Sequence, residues 1–240
     1  PQFPPKAKRI IYLTQSGAPS HTDLYDYKPD LKAWRGKELP ASIRMGQRLT
    51  TMTAQQKLAI QPTEFAFSQH GQSGIWLSEL LPGIGAVADE ICLIKSMHTE
   101  AINHSPGMTL FMTGSQIPGR PSMGSWLNYG LGSESEELPG YVVMMSRDQH
   151  GTCGQLLFDY YYGSGFLPSR LQGVKFRTSG EPVLYLTNPK GVSRGVRRGL
   201  LNDLAKLNEM KFREVGDPEI TTRIAQYEMA YRMQMSVPEL

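Results

Sequence analysis

Ile91-Cys92-Leu93-Ile94-Lys95-Ser96, then Met97-His98-Thr99-Glu100-Ala101-Ile102-Asn103-His104 and Ser105-Pro106-Gly107, is the stretch on which the fold reading turns. Its first six residues are a short, bounded, mostly apolar run with β-branched side chains, which suits a buried strand. Ser105 followed by Pro106 reads as a helix start: a hydroxyl to accept an orphan N–H, then proline at the first helical position. Met108, Leu110, Phe111 and Met112 supply the helix body, and Gly114 is placed to cap its end. His98, Asn103 and His104 therefore fall between a strand's end and a helix's N-terminus. Backbone N–H groups and the helix dipole favour an anion there, and open α/β sheets place their sites at such points.

Outward from this stretch, Arg9 to Gln15 reads as the first strand, and Tyr141-Val142-Val143-Met144-Met145 and Val183-Leu184-Tyr185-Leu186 as the third and fourth. Ile75 to Ala88 carries Trp76, Leu80, Ile84 and Val87 at helical spacing, and a further helix carries Met123, Trp126, Leu127 and Leu131, ending at Gly130 or Gly132. Two helices finish the chain, about Leu200 to Val215 and Pro218 to Met235, separated by Gly216 and Asp217. Ile220, Ile224, Tyr227, Tyr231 and Met235 form the apolar stripe of the last one. Tyr27 to Gln61, interrupted by Pro29, Gly36, Pro40 and Gly46, reads as a surface excursion. Strand and helix in alternation predict an α/β fold: a mixed, mostly parallel sheet flanked by helices.

At 240 residues and 40% apolar composition, the chain can bury one large core or two small ones. A net charge of +3 with scattered basic residues does not point to a nucleic-acid partner. The densest basic stretch, Arg194 to Arg198, has only three arginines and reads as a solvated loop. Cys92 and Cys153 form neither a disulfide framework nor a metal-binding pair, and Cys92 reads as a core residue. No apolar run approaches a membrane span, and no signal peptide is visible. The sequence opens Pro1-Gln2-Phe3-Pro4-Pro5 without a methionine and stops just past a helix. It therefore reads as one domain over residues 1–240, truncated at its C-terminus.

Ser16 to Asp26 gathers His21, Asp23 and Asp26 directly after the predicted first strand. Imidazole plus carboxylates in such a loop is a sensible ligand set for a divalent metal. Gly, Pro, Ser and Asp are also turn formers, and Asp23 and Asp26 can simply cap the next segment, so both readings stand. Gln69-His70-Gly71-Gln72-Ser73-Gly74 lacks the Gly-x-Ser-x-Gly pattern of a nucleophile elbow and reads as a turn. A Ser20–His104–Asp23 triad is disfavoured for the same lack of an elbow. Tyr160-Tyr161-Tyr162 among glycines suits either a sugar-stacking platform or a loop packed on the body, and packing is the preferred reading.

His104-Ser105-Pro106-Gly107-Met108 through Thr113-Gly114 resembles the sulfatase pattern, a Cys or Ser nucleophile, x-Pro-x-Arg, four residues and Thr-Gly. The Pro, the Thr-Gly and every interval match, while His104 stands in place of the nucleophile and Met108 in place of the arginine. More widely, the chain resembles the exported bacterial proteins grouped as domain of unknown function 1501, often labelled sulfatase-like. The phrases that carry this are Lys8-Arg9-Ile10-Ile11-Tyr12-Leu13, Gly17-Ala18-Pro19-Ser20-His21, Gln69-His70-Gly71-Gln72-Ser73-Gly74, Gly119-Arg120-Pro121-Ser122-Met123-Gly124-Ser125-Trp126 and Gly163-Ser164-Gly165-Phe166-Leu167-Pro168.

The resemblance implies an alkaline-phosphatase/sulfatase-like fold, of which this would be the N-terminal half, and a metal-dependent hydrolase of sulfate or phosphate esters. Substrates would be small-molecule or carbohydrate esters. A divalent ion (Zn, Ca or Mn) would sit on His21 and Asp23 with Asp26 as a third ligand, Gln15-Ser16 standing where an acidic pair is usual. His104 would act as base or nucleophile, and His98 and Asn103 would contact substrate oxygens. The resemblance also implies export to the periplasm or beyond. The alternative is a catalytically degenerate exported binding or cell-surface protein, which the replaced nucleophile and arginine favour.

Overall fold

A computed structural model of the chain describes residues 4, 6–50, 53–145, 158–180, 183 and 187–236. Helix and sheet are mixed, and the chain divides into two compact units, Pro1–His104 and Ser105–Leu240. Among the described residues there are two separate two-stranded sheets, one antiparallel and one parallel. The single, mostly parallel sheet expected from the alternation is therefore represented by one parallel pair.

The first unit is built on an antiparallel hairpin of β1 (Phe67–His70) and β2 (Ile75–Ser78), in register from Phe67↔Ser78 to His70↔Ile75. Gly71 and Gly74, at φ +66 and +65, supply the left-handed backbone that the connecting turn requires. The Asp89 carboxylate closes this turn, accepting the Gln72 N–H at 2.8 and 3.0 Å and the Ser73 N–H at 3.2 Å. Leu77 is fully buried, and Tyr27 stacks 5.0 Å from the Phe67 ring and 4.5 Å from that of Trp76. Short helical turns surround the hairpin: α1 (His21–Leu24), a 3-10 turn at Pro29–Trp34, α2 (Ala41–Arg44) and α3 (Pro82–Gly85).

Ile75 to Ala88 is no helix, because Ile75, Trp76 and Leu77 pair across to β1 and Pro82 would break a helix running through it. Arg9 to Gln15 and Ile91 to Ser96 join neither sheet. Ile11 and Leu13 are 85% and 90% exposed and Ile94 62%, since strand propensity is realised only through cross-strand neighbours. Cys92 goes with its segment, exposed and free rather than in a core.

α4 (His104–Thr113) opens one residue ahead of Ser105, and the Asn103 side-chain oxygen accepts the His104 N–H at 2.7 Å. It ends as expected at Gly114, φ +74, whose N–H reaches the Leu110 carbonyl at 2.8 Å. In the second unit, α5 (Met123–Leu131) has its N-terminus fixed by buried serines. Ser122 Oγ accepts the Ser125 N–H at 3.4 Å, and Ser125 Oγ donates to the Gly163 carbonyl at 3.1 Å. β3 (Val142–Met144) pairs in parallel with β4 (Val174–Phe176). β4 is not among the strands expected from the sequence, since three residues are too few to show a period. The predicted strand at Leu184 to Leu186, the loop from Asp148 to Gly154 and Cys153 lie outside the described residues.

α6 (Arg194–Val215) and α7 (Pro218–Ser236) form a helical hairpin around Gly216, φ +74, with Asp217 Oδ1 accepting the Glu219 N–H at 2.9 Å. α6 starts earlier than expected, because Ser193 Oγ accepts the Val196 N–H at 3.3 Å and caps it. Arg194 to Arg198 is thus its first turns rather than a loop. Arg198 forks onto both carboxylate oxygens of Glu228 and lies 4.7 Å from the Tyr231 ring centroid. On α7 the buried residues are Thr222 and Met233, whereas Tyr227 and Met235 of the predicted stripe are each 39% exposed. No helix among the described residues is long and apolar enough to cross a membrane.

Candidate functional site

α4 brings a set of hydroxyls together at its first turn. Ser105 Oγ lies 3.3 Å from the Tyr160 hydroxyl and also hydrogen-bonds Tyr161. Tyr160 is placed by its ring, which stacks on Phe158 at 5.0 Å and meets Tyr161 edge-on at 4.8 Å. Tyr161 is 3% exposed, and burial first, then the neighbouring Tyr160, pushes its hydroxyl above the ordinary phenol value. Burial together with its bond to Asp159 pushes Tyr162 up to about 12. The tyrosines therefore pack the Asp159–Tyr161 turn and bring the Tyr160 and Tyr161 hydroxyls to Ser105.

His104 opens the same helix, exposed, with its N–H already taken by Asn103. Pro106 has no N–H, so this end carries fewer free backbone donors than most and depends on side-chain hydroxyls. His98 is exposed on the irregular stretch before the helix.

The predicted metal loop is organised differently. His21 Nε2 and Asp26 Oδ2 are 3.8 Å apart, but Asp26 already receives the Lys28 ammonium at 2.5 Å. Thr63 and Ser20 hydrogen-bond the Asp23 carboxylate and hold it below the ordinary carboxylate range. Among the described residues no three His, Cys, Asp or Glu side chains are grouped to hold a metal ion. As arranged, His21, Asp23 and Asp26 do not fit a divalent ion, since a cation would have to displace Lys28 and recruit a third donor.

Lys28 is also the main cause of the depressed Asp26 value, reinforced by His21 and Lys95 and opposed by burial. A carboxylate whose folded value is depressed contributes stability above its unfolded value, and that contribution is lost as pH falls through the folded one. The first unit should therefore weaken as pH drops below the ordinary 3.8. Asp26→Asn should flatten that dependence, as read from urea unfolding across a pH series.

Across residues 7–240 the chain matches the family described as protein of unknown function (DUF1501). The chain belongs to this family. No curated protein matches it. No solved structure does either.

In this DUF1501 chain, sequence reasoning found His104 and Asn103 at the helix start but missed Ser105 as more than a cap, and missed Tyr160. The partner lies 55 residues away, beyond any local pattern. The signal that was available is compositional: a tyrosine run next to glycines, which must put its hydroxyls somewhere. At the Gln69 to Gly74 turn, Asp89 occupies the Gln72 and Ser73 N–H groups, and His70 Nε2 lies 2.9 Å from Ser68 Oγ.

Proposed function

We propose that this DUF1501 chain recognises the sulfate or phosphate group of a small-molecule or carbohydrate ester at the start of α4, binding it without cleaving it. The observation that carries this is the Ser105–Tyr160 hydroxyl pair, one hydroxyl bonded to the other, at a helix N-terminus, where the helix dipole favours an anion. His104 on the first turn adds a further donor. The replaced nucleophile and arginine, and a ligand loop occupied by Lys28, favour binding over bond-breaking. An exported protein on a sulfatase-like, alkaline-phosphatase-like fold is the setting this reading implies.

Isothermal titration with sodium sulfate and p-nitrophenyl sulfate tests it. Ser105→Ala and Tyr160→Phe should each weaken binding about tenfold, the loss typical of one hydrogen bond to a charged acceptor. Unchanged affinity in both would sink the reading. A second reading, ester hydrolysis, is favoured by the sulfatase-type intervals from Pro106 to Thr113-Gly114 lying within one helix and its cap. Release of p-nitrophenol that disappears in His104→Ala would move the assignment to hydrolysis.

A further inference from the structure

We propose that the outer stripe of α6 is a docking seam for an amphipathic helix with acidic flanks. Val196, Leu200, Leu207 and Met210 are 54–66% exposed along this 22-residue helix. Together with Asp203 and Glu214 they recur at alternating intervals of four and three, the spacing of a coiled-coil seam. α7 meets a different side, where Arg198 pairs with Glu228 and where Leu201, Ala205 and Asn208 are half-buried. The seam is therefore not the face that holds the hairpin together.

The flanks of the seam say what fits it. In heptad terms the flanking positions are Arg197, Gly199, Leu204, Lys206, Lys211 and Arg213. Four of the six are basic and none is acidic. A second copy of α6 would set like charge against like, whereas a helix with glutamate or aspartate at its flanks would meet opposite charge at Arg197, Lys206, Lys211 and Arg213. Lys206 and Lys211 pair with Asp203 and Glu214 at 3.5 and 3.0 Å, well exposed, contacts weak enough to be exchanged. A membrane surface fits less well, because Asp203 and Glu214 lie in the stripe itself and would be carried into the lipid boundary.

Fluorescence anisotropy of the whole chain tests this with a dye-labelled designed helix bearing leucine at seam positions and glutamate at every flank. Its twin carries lysine at the flanks. The acidic helix should bind, more weakly as salt rises, and the basic twin at least about tenfold more weakly. Leu200→Glu with Leu207→Glu should cost about tenfold or more, with helix content by circular dichroism unchanged. The charge reversal Lys206→Glu with Arg213→Glu should shift preference toward the basic twin, a result that unfolding cannot mimic. Equal affinity for the two helices, binding of neither, or indifference to the charge reversal would overturn the proposal. So would self-association of the chain in sedimentation, or binding to phosphatidylserine vesicles in place of the acidic helix.

Discussion

Replacing Gly165 by alanine is expected to destabilise the second unit by about 3 kcal/mol, from overpacking added to backbone strain. Two causes combine. Gly165 has φ +57, a left-handed conformation that a Cβ disfavours, and the new Cβ would lie 2.4 Å from the Arg120 carbonyl carbon, 2.5 Å from Pro121 N and 2.7 Å from the Gly119 oxygen. Those neighbours are backbone and cannot swing aside as a side-chain tip can. Gly216→Ala separates the two effects, because Gly216 has φ +74 and ψ 10, a left-handed conformation, with open space around its Cβ position. It should cost only the strain, about 1–2 kcal/mol. Urea unfolding of both variants gives the difference. Equal losses would show that the Gly163–Gly165 loop does not press on Arg120–Pro121.

Leu77→Ala should cost the first unit about 3 kcal/mol, within the 2–5 typical of truncating a buried leucine. Leu77 has no exposed surface, and its neighbours are held by the β1–β2 register and the Tyr27–Trp76 stack, so the void cannot easily collapse. Leu77→Met, close in volume, should cost less than about 1.5 kcal/mol. Leu13→Ala, at a residue 90% exposed, should shift stability by no more than about 0.5 kcal/mol. Denaturant midpoints order the three. If Leu77→Ala fell with Leu13→Ala, the hairpin would have no core of its own.

The helices with strong end signals were legible. Gly132, Gly114, Gly216 and the Asp217-Pro218 pair all mark ends or starts where chain chemistry alone decides, because a left-handed residue or a missing N–H acts locally. The strands were legible only where a partner exists. Tyr141 to Met145 is realised as β3 because Val174 to Phe176 lies beside it, whereas the equally apolar Ile91 to Ser96 has no ladder. Ile75 to Ala88 misled because Trp76, Leu80, Ile84 and Val87 fit a helical period, while the stronger signal was the Gly71 to Gly74 turn between two β-forming runs. At the candidate site, Asn103 and His104 were legible from their place before a helix. Ser105–Tyr160 and Asp26–Lys28 were not, since pairing of side chains is decided by packing.

The two sheets also differ in how far apart along the chain their partners lie, and this orders their formation. His70 and Ile75 meet across a four-residue turn, so β1 and β2 can zip as soon as Gly71 and Gly74 are set. Val142 and Val174 are separated by 32 positions, and joining them closes a long loop for three residue pairs of reward. Loop-closure entropy is met before such contacts repay it. The hairpin and the locally connected α6–α7 pair should therefore form early in folding, with the parallel ladder completing the second unit last.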